Sequence, residues 1–169
     1  VQQRHRLLRR GQRVLDLGCW PGGWLQVAAH AVGPGGRVVG VDHVPLEPFA
    51  EPYVAVVEAD LATPGIAERL LATLGAPADV VLSDAAPKLS GVRASDRARE
   101  QELLEAIEAL LPAVLRPGGD LLLKILEGPE AQQVERRLRR RFARAKALRP
   151  RASRKGTTER YLLARGFSP

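Results

Sequence analysis

The apolar positions of this chain fall into short, nearly unbroken runs rather than a strict alternation. Arg13–Gly18 (RVLDLG), Arg37–Asp42 (RVVGVD), Tyr53–Asp60 (YVAVVEAD), Ala78–Asp84 (ADVVLSD) and Asp120–Leu126 (DLLLKIL) are of strand length and rich in Val and Leu. Between them the apolar spacing turns helical. Gly22–Val32 predicts a helix closed by Gly33-Pro34-Gly35-Gly36, and Pro64–Leu74 a second with Thr63 as its cap. The longest, Asp96–Leu115, repeats Leu103, Leu104, Ile107, Leu110 and Leu111 at helical spacing and stops at Arg116-Pro117-Gly118-Gly119. Pro129–Phe142 predicts a basic helix, and Ala145–Leu148 and Arg160–Ala164 predict two closing strands. Pro45, Pro48 and Pro52 mark one loop, and Ala85–Arg93 another. Apolar strands separated by helices predict an α/β fold whose parallel sheet is covered on both faces. Such sheets bind ligands at the carboxyl ends of their strands, near the point where strand order reverses.

Composition narrows the class. The chain has 169 residues, 45% of them hydrophobic, with no repeat and no compositional break, so a single globular domain over residues 1–169 is expected. No apolar run approaches the ~20 residues that span a bilayer, and the first residues, VQQRHRLLRRG, lack the apolar core of a signal peptide. No membrane partner is expected. The one cysteine, Cys19, can form neither an internal disulfide nor a cysteine metal cluster, which suits a reducing compartment. Lys and Arg outnumber Asp and Glu 26 to 19, a net charge of +7. Coding bias could enrich arginine, but it would not concentrate it. The surplus lies in Arg136–Lys155, which holds no acidic residue, and around Arg4–Arg13. That concentration points to a polyanionic partner such as nucleic acid.

The first strand runs into a turn built from Gly18, Pro21, Gly22 and Gly23 and then into a helix. It is not a dinucleotide fingerprint, because Trp20 stands where G-x-G-x-x-G needs glycine, and no Lys-Ser/Thr follows as in a phosphate loop. Three carboxylates, Asp42, Asp60 and Asp84, end successive strands and should line the rim that holds this turn. One aspartate after a strand is commonly a turn or cap residue; three in register are less easily explained so. An acidic rim repels phosphate and suits a cofactor with hydroxyls and a positive charge. Asp42 is placed to accept from a ribose diol, Asp60 from an adenine amino group, and Asp84 lies where an ammonium or sulfonium would sit. That description fits S-adenosylmethionine better than NAD or ATP.

Lys124 interrupts a strand expected to be buried on both faces. A buried lysine is costly unless paired or neutral. It could reach solvent at the strand end, yet Asp84 on the neighbouring strand is an obvious partner. A lysine so held can serve as a general base. Trp24 is expected to pack, with its edge beside the cofactor, and Cys19 to be a small buried residue. His5, His30 and His43 lack metal-ligand spacing, so no metal is expected.

The motifs VLDLGCWPGGW, GVD before a proline loop, EAD, VVLSDAAPKLSG, LRPGGDLLLKIL and SRKGTTERYLLA span nearly the whole chain. Together they resemble the FtsJ/RrmJ family of S-adenosylmethionine-dependent RNA 2′-O-ribose methyltransferases. The resemblance implies a Rossmann-like class I methyltransferase fold, a seven-stranded, mostly parallel sheet with helices on both faces and the last strand antiparallel. It implies a cofactor site at Gly18, Gly22, Trp24, Asp42, Asp60 and Asp84. It also implies a Lys-Asp-Lys-Glu catalytic tetrad whose last three members match Asp84, Lys124 and Glu159. The tetrad's first lysine would fall before Val1, and the chain has no methionine. A short native segment upstream of Val1 is therefore expected. Trp20 and Lys88 depart from the family's small residue and asparagine. The implied partner is RNA, foremost 23S-type ribosomal RNA within the large ribosomal subunit, met by a monomer in the cytoplasm or a mitochondrial matrix. Transfer RNA is the alternative substrate, and an RNA-binding module with impaired catalysis the alternative function.

Overall fold

The computed structural model describes residues 5–87, 91–125, 128–149 and 160–169, with Arg93 and Glu130 described by backbone alone. Seven strands form one sheet: β1 (Arg13–Leu17), β2 (Arg37–Asp42), β3 (Val54–Glu58), β4 (Ala78–Ser83), β5 (Leu115–Ile125), β6 (Phe142–Leu148) and β7 (Arg160–Phe167). Among the described residues four helices alternate with them: α1 (Gly23–Val32), α2 (Ile66–Leu74), α3 (Arg93–Val114) and α4 (Pro129–Arg140). The strand order is β3-β2-β1-β4-β5-β7-β6. β7 inserts between β5 and β6 and runs antiparallel to both, while the other pairings are parallel. The expected mixed sheet is present. Strand order reverses between β1 and β4, so a cleft opens above their carboxyl ends.

The unbroken apolar runs arise because the central strands are covered twice. Leu15, Leu17, Val39, Val41, Val81, Leu121 and Leu123 face one way and meet α2, α3 and α4. Val14, Val38, Val80, Leu82, Leu122 and Leu163 face the other way, onto α1 and onto Leu7 and Leu8 of the N-terminal segment. α1 offers Leu25, Ala28, Ala29 and Val32 to the sheet, the i, i+3, i+4, i+7 stripe of an amphipathic helix. Leu7 and Leu8 are 2% and 7% exposed. Burial of each contributes about 1.5–3 kcal/mol, which seats the segment without regular structure. Among the described residues, no helix is long and apolar enough to cross a membrane.

Several boundaries differ from the pattern-based reading. α2 starts at Ile66 on Gly65 in a left-handed conformation (φ 77°), so Thr63 is not its cap. α3 begins three residues before Asp96, whose carboxylate accepts the Gly91 N–H at 3.1 Å. β3 stops at Glu58, and Asp60 instead organises a turn, its Oδ1 accepting the Ala62 N–H at 2.8 Å. β5 begins at Leu115 because Arg116–Gly119 does not break the strand but bulges from it; Ala78 pairs with Leu115 and Val80 with Asp120. β6 and β7 are longer than predicted, since residues paired in a ladder need not be apolar.

Candidate active site

The turn after β1 is tied to β2 from beneath. Gly18 and Cys19 donate their N–H groups to the Val41 carbonyl at 2.8 and 3.2 Å, and Gly22 donates to Cys19 O at 2.7 Å. The Trp20-Pro21 peptide bond is cis. Gly18 has φ +76°, and a Cβ there would lie 2.7 Å from Ala85 Cα and collide with its side chain. The turn and the loop after β4 thus touch across the switch point with no room for a side chain.

A cavity of about 750 Å³ opens above this contact, lined among others by Gly18, Trp20, Asp42, Asp60 and Asp84. The three predicted carboxylates do converge. Asp42 is buried, and its oxygens accept the N–H groups of Trp20 and Val44, both at 2.9 Å. The exposed His43 places Nδ1 3.3 Å from Asp42 Oδ1. These bonds fix the carboxylate plane and leave lone pairs for further donors. Gly22 and Trp24 are not among the residues that line the cavity. Gly22 faces Leu46 and Phe49 of the proline loop. Trp24 stacks obliquely on Tyr161 with ring centroids 5.7 Å apart. The cavity's size suits a nucleoside-sized ligand, and its acidic donor set suits a cation bearing hydroxyl and amino groups.

Lys124 projects from β5 beside this cavity. Its side chain is 10% exposed; Nζ donates to the Asp84 carbonyl at 2.7 Å and lies 3.3 Å from Asp84 Oδ1. The expected Lys124–Asp84 pairing is therefore made, through backbone and side chain together. Tyr161 completes the cluster, its hydroxyl donating to the same Oδ1 at 3.0 Å. Tyr161 stands opposite Lys124 in the β5–β7 ladder, so their side chains leave the sheet on the same face. Glu159, the third expected catalytic residue, lies outside the described residues, as do Lys88 and the loop Ser153–Thr158.

Two groups here escaped the reading of the sequence. Tyr161 is one; it lies in the SRKGTTERYLLA motif, but only the antiparallel register reveals its partner. Asp16 is the other. It sits in β1, fully buried, and neither carboxyl oxygen has a hydrogen-bond partner among the described residues. Burial, reinforced by the charges of Asp84 and Asp42, pushes its carboxyl up to about 8. Burial likewise pushes the Cys19 thiol up to about 12, aided by Asp16 and Asp42, so it is no thiolate nucleophile. Asp16 leaves little trace in the sequence, since one acid within VLDLG does not interrupt the apolar run; only its burial sets it apart.

The chain is 45% identical over 168 residues to the ribosomal RNA large subunit methyltransferase E of Alkalilimnicola ehrlichii, covering 99% of this chain and 79% of that protein. It is 39% identical over 167 residues to the protein of the same name from Methanothermobacter thermautotrophicus, with the same coverage of 99% and 79%. Among solved structures, one described as a ribosomal RNA methyltransferase from Plasmodium falciparum superposes with a TM-score of 0.83. That match has 22% identity and covers 98% of this chain and 92% of the other. Aeropyrum pernix fibrillarin, solved with natively bound S-adenosyl-L-methionine, superposes with a TM-score of 0.66 at 16% identity, covering 94% and 68%. Those two structures share the fold. The sequence itself matches the profile of one family from residue 1 to residue 167, and on that match the chain belongs to the FtsJ-like methyltransferase family.

Proposed function

We propose that this methyltransferase moves a methyl group from S-adenosylmethionine to a ribose 2′-hydroxyl of large-subunit ribosomal RNA, working as one domain over residues 1–169 in a cytoplasmic setting. The observation that carries the reading is the Lys124–Asp84–Tyr161 cluster on the rim of an acidic, nucleoside-sized cavity. The names of the relatives support the choice of RNA, and the net charge of +7 suits a polyanion.

S-adenosylmethionine, when bound, supplies a methyl on a cationic sulfur, an electrophile that needs orientation more than activation. Asp42 would accept from its ribose diol, Asp60 from its adenine amino group, and Asp84 would face its positive end. Gly18 lets the backbone approach. On the RNA side, Lys124 Nζ takes the proton of the attacking 2′-hydroxyl or holds the developing alkoxide. Asp84 fixes Nζ with its carbonyl and carboxylate, and Tyr161 fixes the carboxylate. Glu159 joins this group by resemblance.

The test is to incubate the protein with labelled S-adenosylmethionine and unmodified large ribosomal subunits, then map the product. A 2′-O-methylated nucleotide is expected. Lys124→Ala should lower turnover by about 10²–10⁴-fold while cofactor affinity changes little. Methylation of a base, or wild-type turnover in the variant, would overturn the reading.

A further inference from the structure

The basic surplus of this chain lies in two runs far apart in sequence, and the fold sorts them. On α4, Arg137 is held by Glu108 at 2.7 Å and Glu105 at 3.5 Å, and Arg139 by Glu135 at 2.8 Å. Arg160 also reaches Glu135, at 2.6 Å. These arginines tie α4 to α3 and to the sheet. β6 differs. It is an edge strand, Arg144 and Lys146 are exposed on it, and among the described residues no carboxylate lies within ion-pair distance of either.

Strand register shows where these two side chains point. Lys124 pairs with Tyr161, and Tyr161 with Leu148, so the three form one rung across β5, β7 and β6. Leu148 and Tyr161 pack in the cluster under α1 and the N-terminal segment. Lys146 and Arg144 lie two and four residues before Leu148, hence on that same face. Lys146 sits about 12 Å from Lys124, two strand spacings across and one side-chain repeat down. The N-terminal run arrives there as well. Arg165 donates to the His5 carbonyl at 2.6 Å, and Lys146 Nζ lies 3.4 Å from His5 Nδ1. Arg6, exposed and in a left-handed conformation (φ 46°), follows directly.

We propose that Arg144 and Lys146, joined by the N-terminal segment at His5 and Arg6, form the track that carries the phosphate backbone of the substrate RNA toward Lys124. The inference rests on the reading that the substrate is RNA. It assigns the contact to one face of the β6 edge and removes Arg137 and Arg139 from it. An RNA whose ribose stands at Lys124 can lay its neighbouring phosphates along a row of cations spaced roughly 7 Å apart, every second residue of a strand. Charged side chains also guard edge strands against pairing with another chain. Charge reversal separates the two roles, because glutamate guards an edge as well as lysine does but repels phosphate.

The experiment measures binding of a fluorescein-labelled single-stranded RNA by anisotropy across a salt series, a readout independent of turnover. Arg144→Glu/Lys146→Glu should weaken binding at least about tenfold and flatten the slope of log affinity against log salt by about 1.4, two contacts at about 0.7 each. Arg136→Glu/Arg140→Glu, on the exposed side of α4, makes the same change in net charge and should lose several-fold less. Affinity for S-adenosylmethionine and the melting temperature report that both variants remain folded. Equal losses in the two variants, or an unchanged slope in the first, overturn the track. Wild-type protein that binds this RNA as expected but methylates no ribose would overturn the proposed function and leave the track standing.

Discussion

Asp16 is the residue most at odds with its surroundings. Its carboxyl is raised from 3.8 to about 8, first by burial and then by Asp84 and Asp42. Between those values the folded protein holds a proton that the unfolded chain releases. Stability should therefore fall as pH rises from about 4 to about 8 and level off above, by an amount on the order of several kcal/mol. Urea denaturation of wild type and Asp16→Asn at pH 5, 7 and 9 checks this. The wild-type midpoint should drop across the series more than that of the variant, and parallel profiles would refute it. Tyr161 affords a second prediction. Tyr161→Phe removes one of the two donors at Asp84 Oδ1. Turnover should fall about tenfold, as expected for one hydrogen bond to a charged group, with the KM for S-adenosylmethionine within about twofold. A raised cofactor KM at unchanged turnover would place the hydroxyl in binding instead. At this scale Asp42, Asp60 and Asp84 were legible because each is a carboxylate at or just past the end of an apolar run. Asp16 was not, because a single acid within VLDLG does not disturb the run.

Among the elements, the turn between β1 and α1 does the closest fitting. Gly18→Ala must both hold a left-handed residue, which costs about 1–2 kcal/mol, and push Ala85 aside. Ala85 adjoins Asp84, so the variant should lose more than about tenfold in S-adenosylmethionine affinity by calorimetry, beyond its loss of stability. Wild-type affinity would show that the two loops can part freely. The inner strands were legible because burial on both faces makes them almost wholly apolar. The beginning of β6 was not. Phe142 reads as the last residue of the basic helix, and of Ala143, Arg144, Ala145 and Lys146 only Ala145 packs on the core, so the strand is recognisable only from Ala145 onward. The bulge at Arg116–Gly119 misled in the opposite sense, since Pro and Gly usually stop an element and here only deform one.

Across the whole molecule, charge is segregated by function. Among the described residues, carboxylates gather above the carboxyl ends of β2, β3 and β4, while the exposed cations Arg144 and Lys146 stand on the far edge at β6. A cationic cofactor and an anionic macromolecule are thus drawn to different places and meet at Lys124. The long-range part of this plan was hidden from the sequence, where the N-terminal and C-terminal basic runs look unrelated until His5 and Lys146 are brought together.

The insertion of β7 between β5 and β6 has a consequence for how this protein comes into being. The strand that supplies Tyr161 follows the other six in sequence, yet it takes a place inside the sheet rather than on its margin. Until it arrives, β5 and β6 have no common neighbour, Lys124 stands without the tyrosine beside it, and the cationic edge has nowhere to attach. The reaction centre and the edge strand are completed by the same late event, and a chain cut short before Arg160 would lack both.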